Sequence, residues 1–126
     1  MQVSKEAELS ESLVATGFPS DQQKALPANM KGVQELIPQV RNLRIAGSAA
    51  LHMAYVAAGR LSGFWEIGLN VWDIAAGSLL IQESGGRVTD TTGRSYTLDV
   101  RNVMATNGYI HEELEASLRA AQGTGF

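Results

Sequence analysis

The chain has 126 residues, of which 44% are hydrophobic and 18% charged, and its formal net charge is −3. This composition is typical of a globular protein long enough to close one hydrophobic core, and its charge argues against nucleic acid or anionic membranes as partners. The absence of cysteine excludes disulfides, thiolate metal sites and a cysteine nucleophile. Because no apolar run reaches the roughly 18 residues of a membrane span and no secretory signal pattern opens the sequence, we expect a cytoplasmic protein.

The first part of the chain predicts a strand followed by a helix. Residues 13–16 form a short β-prone run that ends at strong breakers. A capping box of Ser20 and Gln23 predicts a helix start, and Pro27 interrupts its first turns. Apolar residues spaced by three and four then predict one helical face, made of Met30, Val33, Leu36, Ile37 and Val40.

The rest of the chain continues to alternate between strand-like and helix-like segments. In chain order the pattern predicts strand 43–46, helix 49–58 with Gly59 at its end, strand 63–68, helix 72–84, strand 87–90, strand 103–106 and helix 110–121. Short, continuously apolar strands alternating with helices are typical of a sheet covered on both faces. We therefore predict one α/β domain over residues 1–126, with a mixed, largely parallel sheet flanked by helices.

The segment that opens the helix at Trp72 is the most informative for chemistry. Asp73 lies in the first turn, where free N–H groups and the helix dipole stabilise a negative charge. Taken alone, this aspartate is either an ordinary helix cap or one ligand of a metal site completed elsewhere. The other aspartates, at 21, 90 and 99, lie in polar, turn-like stretches. A site with two hard cations needs several converging carboxylates, which Asp73 cannot provide by itself.

Glu66 is the second candidate, because its neighbours in the predicted strand are aromatic, apolar or glycine. A carboxylate in such company is costly to bury without a partner. It is either an edge-strand glutamate facing water or an acceptor for the hydroxyl groups of a ligand. The strand leads toward Asp73, so both carboxylates can border one cleft at the strand ends.

Three further features are weaker signals. The turn Gly47-Ser48-Ala49 joins a strand to a helix and can offer backbone amides to a ligand, although plain strand-to-helix turns are common. We predict that His52, which lies in an apolar helix, is a packed side chain and not a catalytic one. We also predict that His111 is solvated beside its acidic neighbours. We also assign Trp65 and Trp72 to packing in the core and at its rim.

The motifs together resemble the inositol monophosphatase family. The resemblance is carried by residues 44–50, 63–66, 72–77 and 83–86, with the flanking segments 13–19 and 102–108 in the same order. It covers nearly the whole chain and is most specific in the Trp72-Asp73 segment with its trailing glycine pair. It implies the carboxyl-terminal half of a layered α/β sandwich and the hydrolysis of phosphate monoesters such as inositol monophosphate.

The resemblance also implies roles for individual residues. Asp73 matches an aspartate that binds catalytic Mg²⁺ near the leaving-group oxygen. Glu66 matches a glutamate that holds substrate hydroxyls, and Gly47, Ser48 and Ala49 match the turn that lines the substrate pocket. The family's Asp-Pro-x-Asp-Gly-Thr motif, which supplies further metal ligands, is absent from this sequence. So is an upstream glutamate that helps to activate the attacking water.

We therefore expect a carboxyl-terminal part of a Mg²⁺-dependent phosphatase that is inactive alone and pairs with an amino-terminal half or a second copy. The chain's opening, which leads almost directly into a strand-like run, is consistent with a fragment. One alternative is a non-catalytic interaction module, or a truncated paralogue, that pairs with another chain. Another is a fragment of a related phosphatase for bisphosphorylated sugars or nucleotides.

Overall fold

A five-stranded sheet organises the protein in this computed structural model, which describes residues 1–18 and 25–124. The strands are β1 (Leu13–Thr16), β2 (Asn42–Arg44), β3 (Gly63–Glu66), β4 (Arg87–Asp90) and β5 (Val103–Thr106). Their spatial order is β2-β1-β3-β5-β4. β1 pairs in parallel with β2 and β3, whereas β5 runs antiparallel to β3 and β4. All of these strands except β5 therefore run in one direction, which confirms the predicted mixed, largely parallel sheet.

Helices cover both faces of this sheet. They are α1 (Leu26–Leu36), α2 (Ala49–Ala57), α3 (Val71–Glu83) and α4 (His111–Ala120), and a short 3₁₀ turn precedes β1 at Leu9–Glu11. Side chains alternate between the faces of a strand, so neighbouring residues of β3 enter different cores. Phe64 packs in the core under α2 and α3, and Trp65 packs in the core under α1 and α4. The predicted α/β architecture is confirmed.

The start of α1 differs from the sequence-based prediction. The capping box at Ser20 and Gln23 lies outside the described residues. Pro27 does not interrupt a helix but sits in the first turn of α1, where its missing N–H has no intrahelical partner to lose.

The predicted apolar face of this helix is only partly buried. Val33 and Leu36 are buried, whereas Met30 and Ile37 are exposed. The helix ends at Leu36, and Pro38, two residues later, has no backbone N–H with which to extend the intrahelical hydrogen bonds. The five apolar positions therefore do not form one helical stripe, since the last two lie beyond the helix.

The other elements agree closely with the pattern, apart from two strand ends. Gly59 follows α2 with a φ of +79°, as expected for the residue that ends a helix. β2 stops at Arg44, so residues 45–46 leave the sheet earlier than predicted. β3 likewise stops at Glu66, and the chain turns at Gly68, which has a φ of +76°. No helix in the described ranges is long and apolar enough to cross a bilayer.

Two aromatic predictions were wrong. His111 is not solvated but fully buried, with its ring between the hydroxyls of Thr89 and Thr106. Its place at the first position of α4 turns it inward against the sheet, although its sequence neighbours are acidic. Trp65 is buried as predicted, but Trp72 is 84% exposed, because the buried face of α3 is formed by Ile74, Ser78 and Ile81.

Candidate active site

The carboxyl ends of three parallel strands bring the candidate residues to one edge of the sheet. β1, β2 and β3 are direct neighbours, so the segments that follow them emerge side by side. Gly47–Ala49 follows β2 by two residues, Glu66 ends β3, and Asp73 lies in the first turn of α3. Ligands of open α/β sheets bind at such an edge.

Glu66 lies at the end of a central strand, not an edge strand. β3 is paired on both sides, and the Glu66 side chain is only 8% exposed. It shares a strand face with Phe64, two residues earlier, and so faces the layer of α2 and α3. The alternative of a water-facing edge glutamate is wrong, because its strand is enclosed by β1 and β5.

The electrostatic environment of Glu66 opposes its ionisation. Burial, and secondly the negative charge of Asp73, raise the pKa of Glu66 from 4.5 to about 7. The influence of Asp73 places the two carboxylates in one electrostatic neighbourhood. A cation or a hydrogen-bond donor from a ligand would lower the electrostatic cost of ionising Glu66, since both favour the charged carboxylate.

Asp73 does cap its helix. Its Oδ2 accepts the backbone N–H of Asn70 at 3.0 Å, which fixes the carboxylate at the start of α3. A carboxylate has two oxygens with several lone pairs, so one capping bond leaves capacity for a hard cation. The two interpretations of Asp73 are therefore compatible.

The Gly47–Ala49 turn stands open at the same edge. Gly47 has a φ of +80°, and an added Cβ would meet nothing within 4 Å, so conformation alone requires the glycine. Ser48 is the N-cap of α2, and its Oγ accepts the N–H of Leu51 at 3.2 Å. The exposed turn can present backbone groups to a ligand.

Gly17 also lies at this end of the sheet, although its sequence position indicated only a break after the strand at 13–16. It directly follows β1, and a Cβ at this position would come within 2.1 Å of Glu66 Oε1. The missing side chain therefore makes the space that the Glu66 carboxyl group occupies. The available signal was a glycine placed immediately after a strand that neighbours the glutamate-bearing one.

The residues present fit one side of a metal site but do not complete it. Asp73 supplies a carboxylate, the ligand type that Mg²⁺ prefers, and its charge acts on the second carboxyl group, that of Glu66. Within residues 1–18 and 25–124 no group of three or more His, Asp or Glu side chains could hold an ion together. Further ligands would have to come from outside the described part of the chain.

A surface cleft of about 950 Å³ lies along the loop between β4 and β5, where its lining includes Asp90, Arg94, Arg101 and Arg119. Neither Glu66 nor Asp73 lines it. This cleft is therefore separate from the strand ends that carry the candidate residues.

Comparison with known proteins identifies the family. The model of the inositol monophosphatase family matches residues 1–123, nearly the whole chain. The chain belongs to this family. Among solved structures, the inositol monophosphatase from Anabaena superposes with a TM-score of 0.90 and 38% identity, covering 95% of this chain and 50% of that one. The resemblance of the sequence motifs to the inositol monophosphatase family is therefore confirmed.

The curated relatives of this chain carry two different names. The inositol-1-monophosphatase of Synechocystis sp. is 42% identical over 120 residues, which is 95% of this chain and 42% of that protein. The protein named Nus factor SuhB in Haemophilus influenzae is 39% identical over 127 residues, which is 100% of this chain and 47% of that protein. This chain thus spans less than half the length of these relatives.

Proposed function

We propose that this chain is the carboxyl-terminal part of a Mg²⁺-dependent phosphatase that hydrolyses inositol monophosphate or a similar polyol phosphate monoester. The observation that carries the proposal is the pair of carboxylates, Glu66 and Asp73, at the shared end of parallel strands in a chain of this family. We further propose that the chain alone is inactive, because the described residues provide too few metal ligands.

In the complete site each group would have a separate role. Asp73, oriented by its bond to Asn70, would hold Mg²⁺ on its carboxylate. Glu66 would accept hydrogen bonds from the polyol, in the space left by Gly17, and the Gly47–Ala49 turn would line the same pocket. Bound Mg²⁺ ions supply Lewis acidity, which activates a water and stabilises the departing alcohol oxygen.

The outer side of α2 and α3 supports a partner for this chain. These helices carry no charged residue apart from Asp73 and Glu83, so they are apolar on both sides. Leu51 and Tyr55 on α2 and Leu79 on α3 remain exposed. A helix that is apolar all round is normally buried, so we propose that an amino-terminal half or a second copy covers this surface.

The proposal is tested by joining this chain to the amino-terminal part of the Synechocystis inositol-1-monophosphatase, in place of that protein's matching segment. We expect Mg²⁺-dependent phosphate release from inositol monophosphate by the joined protein and none by the chain alone. Asp73→Asn should lower kcat at least about 100-fold, since a carboxylate ligand becomes a neutral amide.

The matched control is Glu112→Gln, which also turns a carboxylate into an amide but lies exposed on α4, away from the strand-end edge. It should leave turnover unchanged. Full activity of Asp73→Asn at saturating Mg²⁺ would contradict the metal role, and turnover by the unjoined chain would contradict its incompleteness.

A non-catalytic interaction module is the second candidate, and the same exposed apolar surface on α2 and α3 favours it. A joined protein that folds with its two parts packed together but releases no phosphate would support this candidate over the phosphatase. Comparing inositol monophosphate with bisphosphorylated sugars and nucleotides as substrates would separate the related phosphatase activities.

A further inference from the structure

His52 makes a hydrogen bond that neither its burial nor its helix requires. It is 1% exposed in α2, and its Nε2 accepts the backbone N–H of Ala46 at 3.0 Å. Its ring also lies against Phe64, with centroids 5.2 Å apart. A side chain anchored in the core thus reaches back to the exposed segment that joins β2 to α2.

That segment is weakly supported by packing. Residues 45–48 are all exposed, and an added Cβ at Gly47 would touch nothing within 4 Å. The pairing of β2 with β1 ends at Arg44, before the turn begins. The bond at Ala46 therefore ties an otherwise exposed piece of backbone to a buried helix.

The chemistry of the ring supports this role. Because Nε2 accepts a backbone N–H, the neutral ring carries its proton on Nδ1, and this buried atom has no partner among the described residues. A buried donor without a partner costs free energy that a leucine of similar size would avoid. What histidine adds here is the acceptor at Nε2, and burial, which lowers the pKa of His52, keeps that acceptor available.

We propose that His52 is a positioning residue, which holds the Gly47–Ala49 turn in its substrate-lining conformation by accepting the Ala46 N–H at Nε2. This inference rests on the proposed function of that turn. His52 acts through the backbone and does not touch the substrate.

The test uses the joined protein with three substitutions. His52→Leu removes the acceptor, His52→Gln can supply a carbonyl oxygen near the position of Nε2, and Met53→Leu alters the neighbouring buried residue without a polar change. Hydrogen exchange is followed in peptides that cover residues 44–51, and KM and kcat are measured for inositol monophosphate.

We expect His52→Leu to release one protected amide in this segment and to raise KM about two- to ten-fold, the worth of one hydrogen bond, with kcat nearly unchanged. His52→Gln should restore both properties, and Met53→Leu should change neither. Unchanged exchange in His52→Leu, or faster exchange with an unchanged KM, would overturn the proposal. So would an equal rise of KM in Met53→Leu.

An unsubstituted joined protein without activity would instead overturn the proposed function, and with it the substrate role of the turn. The exchange measurement would still decide whether His52 holds the backbone, so the two failures are distinguishable.

Discussion

Two buried ionisable side chains, Glu66 and His111, lie on opposite faces and at opposite ends of the sheet. Both ring nitrogens of His111 are hydrogen-bonded, one to Thr89 Oγ1 at 2.7 Å and the other to Thr106 Oγ1 at 2.8 Å. Glu66 faces the charge of Asp73, and no hydrogen bond to its carboxyl group lies within the described ranges. Within the described residues, His111 has hydrogen-bond partners for its side-chain polar atoms and the carboxyl group of Glu66 has none.

The comparison contrasts a side chain satisfied inside the fold, His111, with one for which we propose a ligand-binding role, Glu66. Burial, and secondly the charge of Arg87, lower the pKa of His111 to about 4, so the ring stays neutral and satisfied. Burial, and secondly Asp73, raise the pKa of Glu66 to about 7. A buried polar group without protein partners is costly, and such groups concentrate where a ligand completes the site.

The largest effect on the free energy of unfolding is expected for Glu66→Gln in the metal-free chain. A carboxyl pKa raised from 4.5 to about 7 makes the folded state lose stability as pH rises between these values, because the unfolded chain releases its proton first. At pH 8 the substitution should therefore raise the free energy of unfolding by up to about 3 kcal/mol. Below pH 4.5 this electrostatic gain should vanish. Urea unfolding with a chelator present, at pH 8 and pH 4, measures both values.

His111→Gln tests the other side of the comparison. A histidine pKa lowered from 6.5 to about 4 makes the folded state lose stability as pH falls through this window, because the unfolded chain takes up the proton first. The substitution should remove this acid-induced loss, about 3 kcal/mol by pH 4. Unfolding curves from pH 4 to pH 8 compare the slopes of the two proteins, and an unchanged slope would contradict the assignment to His111.

The two slopes oppose each other over overlapping pH ranges, so they largely offset each other in the unsubstituted chain, beside the smaller slopes from the lowered pKa values of His52 and Glu6. Each single substitution should reveal the slope of the remaining group, and the double variant should keep only the smaller acid-side slope of His52 and Glu6. A double variant with a slope as steep as that of either single variant would contradict the assignments to Glu66 and His111.

The smallest effect on stability is expected for Gly17→Ala, about 1 kcal/mol. The new Cβ would approach Glu66 Oε1 within 2.1 Å, and the flexible carboxyl group must move away. Combining the change with Glu66→Ala should abolish this cost in a double-mutant cycle. Gly47→Ala is the matched control, because its cost comes from a φ of +80° and should add independently of Glu66. Additive energies for Gly17 and Glu66 would contradict the steric account.

The sequence alone was sufficient for the existence and order of the strands and helices, but not for the apolar face of α1 or the ends of β2 and β3. Strand runs such as residues 103–106 and the glycine that ends α2 were predicted because they depend on nearby residues and on backbone conformation. The family resemblance followed from the motifs and their order, and strand direction predicted that Glu66 and Asp73 lie toward the same end of the sheet.

Only the tertiary structure decided which side chains are enclosed and by what. His111 was expected in solvent because its neighbours are acidic, yet two threonines from the paired strands β4 and β5 lie against its ring. The space that Gly17 leaves for Glu66 depends on β1 lying beside β3, and the hydrogen bond that Ala46 donates to His52 depends on where the chain leaves β2. Burial and partners are set by how strands, turns and helices pack against one another in the fold, which periodicity and propensity do not encode.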